Sequence, residues 1–345
     1  MKTVLSLLIC LFEVQACFSG QYAFKAEGDR LYLNDQAFKV IGLRCSNALI
    51  SDRTTQDLID HLGVFKSYGV NTVSVYFMGS RFGDVKGYLT DASLSPAHAK
   101  RMSHLIKAAD DQGMVVVVGC LYWSTSRAKE DLTHWTQAHA NKAIANTVKW
   151  LSGHDYRNVF VDADNEGMSP FSIEKMIDAA HAADPDYAIA FNEHYDPPQN
   201  ADLYIHHSAK VEGKPWIETE GSPPSHNGQG YWGKFTKETH RWDPGFYNYS
   251  RIGRCTANMK RGQIDATRQA NDQYNGYILA STWLQCAPGQ GVGGPFHRPG
   301  GRSNINDVDT DIDTLHSDAG ILWWLEFIKE TVGPWRPPTP HRKQH

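Results

Sequence analysis

The chain is poor in cysteine, in net charge and in long apolar runs, and each shortage closes off a class of function. Six cysteines are spread over 345 residues as Cys10, Cys17, Cys45, Cys120, Cys255 and Cys286. None of their spacings matches a zinc site, so structural disulfides or buried thiols are the simpler use. A formal net charge of −4 lacks the basic excess that a nucleic-acid partner calls for. The apolar run at residues 4–12 is too short to span a bilayer. With Lys2 before it and small residues after it, it has the layout of a secretory signal over residues 1–20, cleaved after Ala16 or Ser19. Export to a secreted or periplasmic location is the expectation. Val14-Gln15-Ala16-Cys17 loosely resembles a lipoprotein box, and its atypical Gln15 makes anchoring at Cys17 the lesser alternative. No repeat, low-complexity tract or second domain interrupts the body of the chain. The glycine-rich residues 288–301 lack the lysine and hydroxyl residue of a phosphate loop and read as a loop.

What is present is a strand that carries a chemical group to its end. In Val159-Phe160-Val161-Asp162-Ala163-Asp164-Asn165-Glu166, side chains alternate across a strand, so Val159, Val161 and Ala163 share one face and Asp162, Asp164 and Glu166 the other. A parallel barrel wrapped in helices suits such a strand, because its outer face packs on helices and its upper interior opens into the active site. Glu166 is placed at that mouth. A second segment, Lys214-Pro215-Trp216-Ile217-Glu218-Thr219-Glu220-Gly221, opens with a proline that a strand start tolerates. By alternation Glu218 and Glu220 share a face, with Glu218 one layer deeper. Two carboxylates delivered to one mouth by different strands suit glycoside hydrolysis, where one protonates the leaving oxygen and the other attacks the anomeric carbon or activates water.

Periodicity places the remaining elements. Residues 30–42 form an opening hairpin with a turn at Asn34-Asp35, continuing into a first barrel strand that ends near Arg44. Further strands are expected at residues 70–77 (with Ser74 and Tyr76 on one face), 114–121 (with Tyr122 and Trp123 at its end), 159–166, 188–192, 203–206, 215–220 and 276–283. Helices are expected at about residues 96–112, 131–151 and 315–331, and residues 336–345 read as a tail. Eight strands in about 315 residues make a (β/α)8 TIM barrel over residues 21–335. The barrel wall is thin between the fifth, sixth and seventh strands, where the intervals are too short for crossover helices. Cys45 follows the first strand and Cys286 the eighth, neighbours in a closed barrel, so an exported protein would pair at least two of Cys45, Cys120, Cys255 and Cys286.

At these residues the chain resembles the clan A glycoside hydrolases, the (β/α)8 retaining enzymes that include cellulase-like and mannanase-like families. Asn165-Glu166 resembles the Asn-Glu that ends the fourth strand in that clan, which implies that Glu166 is the acid/base and that Asn165 binds a sugar hydroxyl. Pro215 with Glu220 five residues on resembles the seventh-strand motif and implies that Glu220 is the nucleophile. Trp283 resembles the sugar-platform tryptophan at the end of strand eight, and His206 or His207 the histidine after strand six. Arg44 sits where an arginine supports the nucleophile. The resemblance implies a retaining enzyme; the expectation is double displacement on a β-linked glycan as partner, by a monomer without a cofactor.

Other groups admit competing uses. Asn192-Glu193 is a rival Asn-Glu pair, better placed to line the substrate. His206-His207 lacks the companion ligands of a metal centre, and hydrogen bonding is the simpler use. The alternating acids of residues 307–313 suit calcium in their oxygen content but lack the turn glycine, and helix capping accounts for them. Tyr76 and the tryptophans Trp123, Trp232 and Trp242 offer rings to a sugar or to loop packing. Asn248-Tyr249-Ser250 is a glycosylation sequon. A non-catalytic carbohydrate-binding barrel and a metal-dependent barrel hydrolase are the alternative functions.

Overall fold

The computed structural model describes residues 20–79, 85–123, 127–192, 197–205, 212–219, 233–236, 241–244, 257–279 and 321–341. The chain enters through an antiparallel sheet of β1 (Phe24–Glu27), β2 (Arg30–Leu33) and β3 (Gln36–Phe38). Asn34 and Asp35 turn β2 into β3 with φ of 47° and 59°. Two consecutive positive φ values match the tight hairpin turn whose twist suits the flanking strands, and asparagine and aspartate tolerate them best after glycine.

Eight strands then run parallel: β4 (Val40–Arg44), β5 (Thr72–Tyr76), β6 (Val115–Leu121), β7 (Val159–Asp164), β8 (Ile189–Phe191), β9 (Leu203–Ile205), β10 (Trp216–Thr219) and, beyond a hairpin of β11 (Gly233–Thr236) and β12 (Arg241–Pro244), β13 (Gly276–Leu279). They close in the order β10-β13-β4-β5-β6-β7-β8-β9, so the expected (β/α)8 barrel is the fold. Helices α1 (Asp52–Tyr68), α2 (Pro96–Asp111), α3 (Gln137–Gly153), α4 (Ile173–Ala183), α5 (Ala257–Gln273) and α6 (Leu322–Thr331) complete it. Among the described residues no helix is long and apolar enough to cross a membrane.

Alternation sorts the side chains into two cores. The outward residues Leu43, Val73, Val75, Val116, Val118, Val161 and Ala163 join Leu58, Phe65, Ile106, Ile144 and Met176 of the helices. The inward residues Val40, Val115, Val117, Phe160, Ala190, Ile217 and Ile278 fill the lower barrel, and Phe24, Leu31, Leu33 and Phe38 of the opening sheet plug it from below. Phe160 is fully buried and its ring lies 4.9 Å from that of Phe24. Phe160→Ala leaves a cavity between barrel and plug, so a loss of about 3–5 kcal/mol is expected, measurable as a lower urea midpoint with an unchanged slope.

The thin wall is real among the described residues: no helix joins β8 to β9 or β9 to β10. A side-chain brace stands in at the first of these, where the Asp202 carboxylate accepts from the Ile189 backbone N–H at 2.7 Å and pairs with His181 of α4 at 2.9 Å. The end of the chain is also tied down. Trp335 donates through Nε1 to the Gly113 carbonyl at 2.7 Å, Asn34 donates to the Thr339 carbonyl at 3.0 Å, and His341 donates to the Gln21 carbonyl at 2.9 Å. Residues 335–341 thus strap the lower face.

Two expectations change. The helix expected from residue 131 starts at Gln137, because Thr136 and His139 form a capping box and Trp135 turns inward to pack on Tyr88. Cys45, directly after β4, and Cys120, on the outward face of β6, are free, buried thiols, so the Cys45–Cys286 pairing is not made, and burial pushes both thiols well above the usual range. Cys255 and Cys286 lie outside the described residues.

Candidate active site

Above the apolar lower layers the barrel interior turns polar. The inward positions at the carboxyl ends of the strands are Arg44 on β4, Ser74 and Tyr76 on β5 and Asp162 and Asp164 on β7, with Asn192 directly after β8, and all are buried. Gly119 is the inward residue of β6 at this level, and a Cβ there would stand 2.1 Å from the Tyr76 ring. Only glycine leaves room for that ring to lie across the barrel.

Asp162 is the hub of the cluster. The Tyr76 hydroxyl donates to its Oδ2, the Asn192 amide donates to the same oxygen at 2.7 Å, and the Tyr76 hydroxyl also stands 3.3 Å from Asn165 Oδ1. Burial pushes the Asp162 carboxyl up to about 6, while the bonds from Tyr76 and Asn192 and the Arg44 guanidinium restrain the rise. Burial and the adjacent Asp162 raise the Tyr76 phenol well above its usual range. At neutral pH, then, the Asp162 carboxylate accepts from a neutral phenol.

Glu166 is reached by leaving the strand. β7 ends at Asp164, and Asn165–Gly167 form a 3-10 turn in which Glu166 takes φ 55°, ψ 23° and Gly167 φ 57°. A glutamate in the left-handed region costs about 1–3 kcal/mol and persists only where its surroundings impose it. Here Asp164 accepts from the Ser169 N–H at 2.8 Å and the Asn165 carbonyl from the Met168 N–H at 3.2 Å, closing the turn. The strain puts the Glu166 carboxyl, 12% exposed, 4.0 Å from the Arg44 guanidinium, which is 2% exposed. Asn165 is fully buried beside it, and its Nδ2 has no hydrogen-bond partner among the described residues.

The structure therefore brings Arg44, Tyr76, Asn165 and Glu166 together. Arg44 approaches Glu166, a contact that the sequence did not suggest. Trp123, after β6, is half-buried and packs edge-on against Phe171 at 5.2 Å and tilted against Trp135 at 6.0 Å, which makes it part of loop packing. Glu218 departs from expectation. Ile217 belongs to the interior core and Glu218 is in register with Tyr277, whose side chain reaches Gln263 of α5. Glu218 thus faces the helices and is not a deeper layer of the mouth. Glu193, His206, His207, Glu220, Trp232 and Trp283 lie outside the described residues, as does the side chain of Trp242. Among the described residues no group of three or more His, Cys, Asp or Glu is arranged to hold a metal ion.

What sequence reasoning missed is the role of Asp162 as hub and of Asn192 as one of its donors. A signal existed: an acid between valines on the face opposite the helices has to be buried in the barrel, and a buried carboxylate needs donors.

No family model matches the chain, and no curated protein matches it. Solved structures do. A glutamate-to-alanine variant of the glycoside hydrolase family 5 mannosidase from Rhizomucor miehei superposes with a TM-score of 0.52 at 11% identity, covering 90% of this chain and 96% of that one. A glycoside hydrolase family 5 protein from Bacteroides vulgatus gives 0.53 at 12% identity, covering 82% and 65%. A second glutamate-to-alanine variant of the Rhizomucor miehei mannosidase, in complex with mannosyl-fructose, gives 0.52 at 11% identity over 90% and 95%. The chain shares the fold of these proteins.

Proposed function

We propose that the chain is a retaining glycoside hydrolase that cleaves a β-linked glycan by double displacement. The observation that carries this reading is the strained delivery of Glu166, directly after Asn165, to the carboxyl-terminal mouth of a closed barrel, the face where barrels of this kind do their chemistry. Its support from outside is the shared fold with glycoside hydrolase structures.

In this reading Glu166 protonates the glycosidic oxygen while Glu220 attacks the anomeric carbon, forming a glycosyl ester and releasing the leaving sugar as an alcohol. Glu166, now a carboxylate, takes a proton from water, whose oxygen displaces Glu220 and restores both groups. Retention requires the two carboxyls to stand about 5–5.5 Å apart. Asn165 Nδ2, a buried donor without a hydrogen-bond partner among the described residues, is offered to a sugar hydroxyl. Trp283 is assigned to the floor of the cleaved-sugar subsite, and His206, His207 and Glu193 to its walls. Export from the cell through the signal at residues 1–20 and action as a monomer complete the proposal.

The test is release of reducing ends from a panel of β-linked polysaccharides, with mannans and cellulose included, by wild type and Glu166→Gln. Glu166-dependent release from one of them is the expected result. Retention of a polysaccharide with no release would identify a binding barrel instead, and loss of release with chelator would identify a metal-dependent hydrolase.

A further inference from the structure

A buried cation, Arg44, shares the polar layer of the barrel with the buried carboxyl of Asp162 and approaches Glu166. Arg44 lies 4.0 Å from Glu166, and its charge also acts on Asp162 deeper in the barrel. A guanidinium so close to a carboxyl in a water-poor site favours the ionised form, which works against a group that must carry a proton to a leaving oxygen. The neighbourhood must offset this. Among the described residues, the groups that face Asp162 are Arg44 from β4, Tyr76 from β5 and Asn192 after β8, with the Asp164 backbone also contributing on β7 and Gly119 of β6 adding no side chain. Among these groups Arg44 carries the charge, while Tyr76 and Asn192 contribute donors without charge.

We propose that Asp162 is a positioning residue for Glu166: its buried carboxylate balances Arg44 from below, so that Glu166 keeps the proton it delivers. The inference rests on the reading of Glu166 as acid/base, and it makes a demand on residues that touch no substrate. Two effects act in the same direction. The Asp162 charge cancels part of the field that Arg44 exerts at Glu166, and it repels a second negative charge at Glu166 directly. Tyr76 and Asn192 belong to the device because their bonds to Oδ2 keep Asp162 ionised despite burial. Tyr76 also stands 3.3 Å from Asn165 Oδ1, so the same hub orients the neighbour of Glu166.

The experiment is titration of the Glu166 side-chain carboxyl by carbon-13 NMR, assigned by its disappearance in Glu166→Gln, in wild type and Asp162→Asn. The substitution keeps the shape of the side chain and an acceptor for Tyr76 while removing the charge. The Glu166 titration is expected to move toward lower pH by about one unit. At pH above that titration, turnover of unactivated glycans should then fall about tenfold, with the first step on activated aryl glycosides close to wild type. Asn192→Ser, which removes the 2.7 Å donor, is expected to move the titration the same way by a smaller step and serves if Asp162→Asn does not fold. A Glu166 titration that stays in place in a folded variant overturns the inference, as does an equal loss on both substrate types. The NMR readout needs no turnover, so the two proposals fail separately. A shifted Glu166 in a protein that hydrolyses no β-glycan would retain the link and discard the hydrolase, whereas Glu166-dependent hydrolysis with an unmoved titration would do the reverse.

Discussion

Glu166→Gln is expected to lose about 10²–10⁴-fold in turnover of glycans with poor leaving groups, the usual contribution of a positioned general acid. The loss should be confined to steps that need the proton. Aryl glycosides with acidic phenols leave unaided, so their first step should persist, and hydrolysis of the glycosyl ester should become the slow step because the base for water is missing. A burst of phenol followed by a slow steady rate is the signature, read by stopped-flow absorbance. Small anionic nucleophiles such as azide should restore the second step. An equal loss on natural and activated substrates, with no burst, would remove Glu166 from the acid/base role. The fold should tolerate the change, since the cost of holding residue 166 in the left-handed region lies in the backbone and glutamine carries the same backbone preference.

The parts of this protein that were legible in sequence are those fixed by local pattern. The run Val115-Val116-Val117-Val118 reads as a strand and the segment from Val159 as a strand with one apolar and one acidic face, and the eight strands close in the expected order. The Asn34-Asp35 turn was equally plain, because few residues accept two positive φ values in succession. What depended on partners far along the chain was not legible. Asp162 and Tyr76 are 86 residues apart, and nothing in the β7 sequence says that a phenol from β5 and an amide from β8 meet above it. The face of Glu218 was misread for a related reason. Alternation gives the period of a strand but not its phase, and the phase of β10 is set by its register with β13, where Thr219 pairs with Ile278 inside and Glu218 with Tyr277 outside. The same limit applies to Glu166, which alternation and the observed turn both bring to the mouth by different routes.

That phase sharpens the expectation for Glu220. Thr219 is an inward residue of β10 in register with Ile278, so strict alternation carried one step further would turn Glu220 toward the helices. The proposed role as nucleophile therefore rests on the motif of Pro215 and Glu220, and it requires the pleat to break before Glu220 in the way that β7 gives way to a turn at Asn165. Glu220→Gln is expected to abolish turnover of natural and activated substrates alike, since no glycosyl ester forms without the attacking carboxylate. A fall of at least the 10²–10⁴-fold scale set by the acid is expected, with no burst of phenol. Trapping with a 2-fluoro glycoside, whose fluorine slows both steps while an activated leaving group restores formation of the ester, should leave one label on the peptide that contains Glu220, located by mass spectrometry after digestion. A label on Glu193 would transfer the role to the rival Asn192-Glu193 pair. A label on Glu218 would require the β10 register to be wrong, because its side chain faces α5 across Tyr277. Product of inverted configuration would overturn double displacement itself, leaving the two carboxyls as an acid and a base acting on water with a separation of about 6.5–9.5 Å.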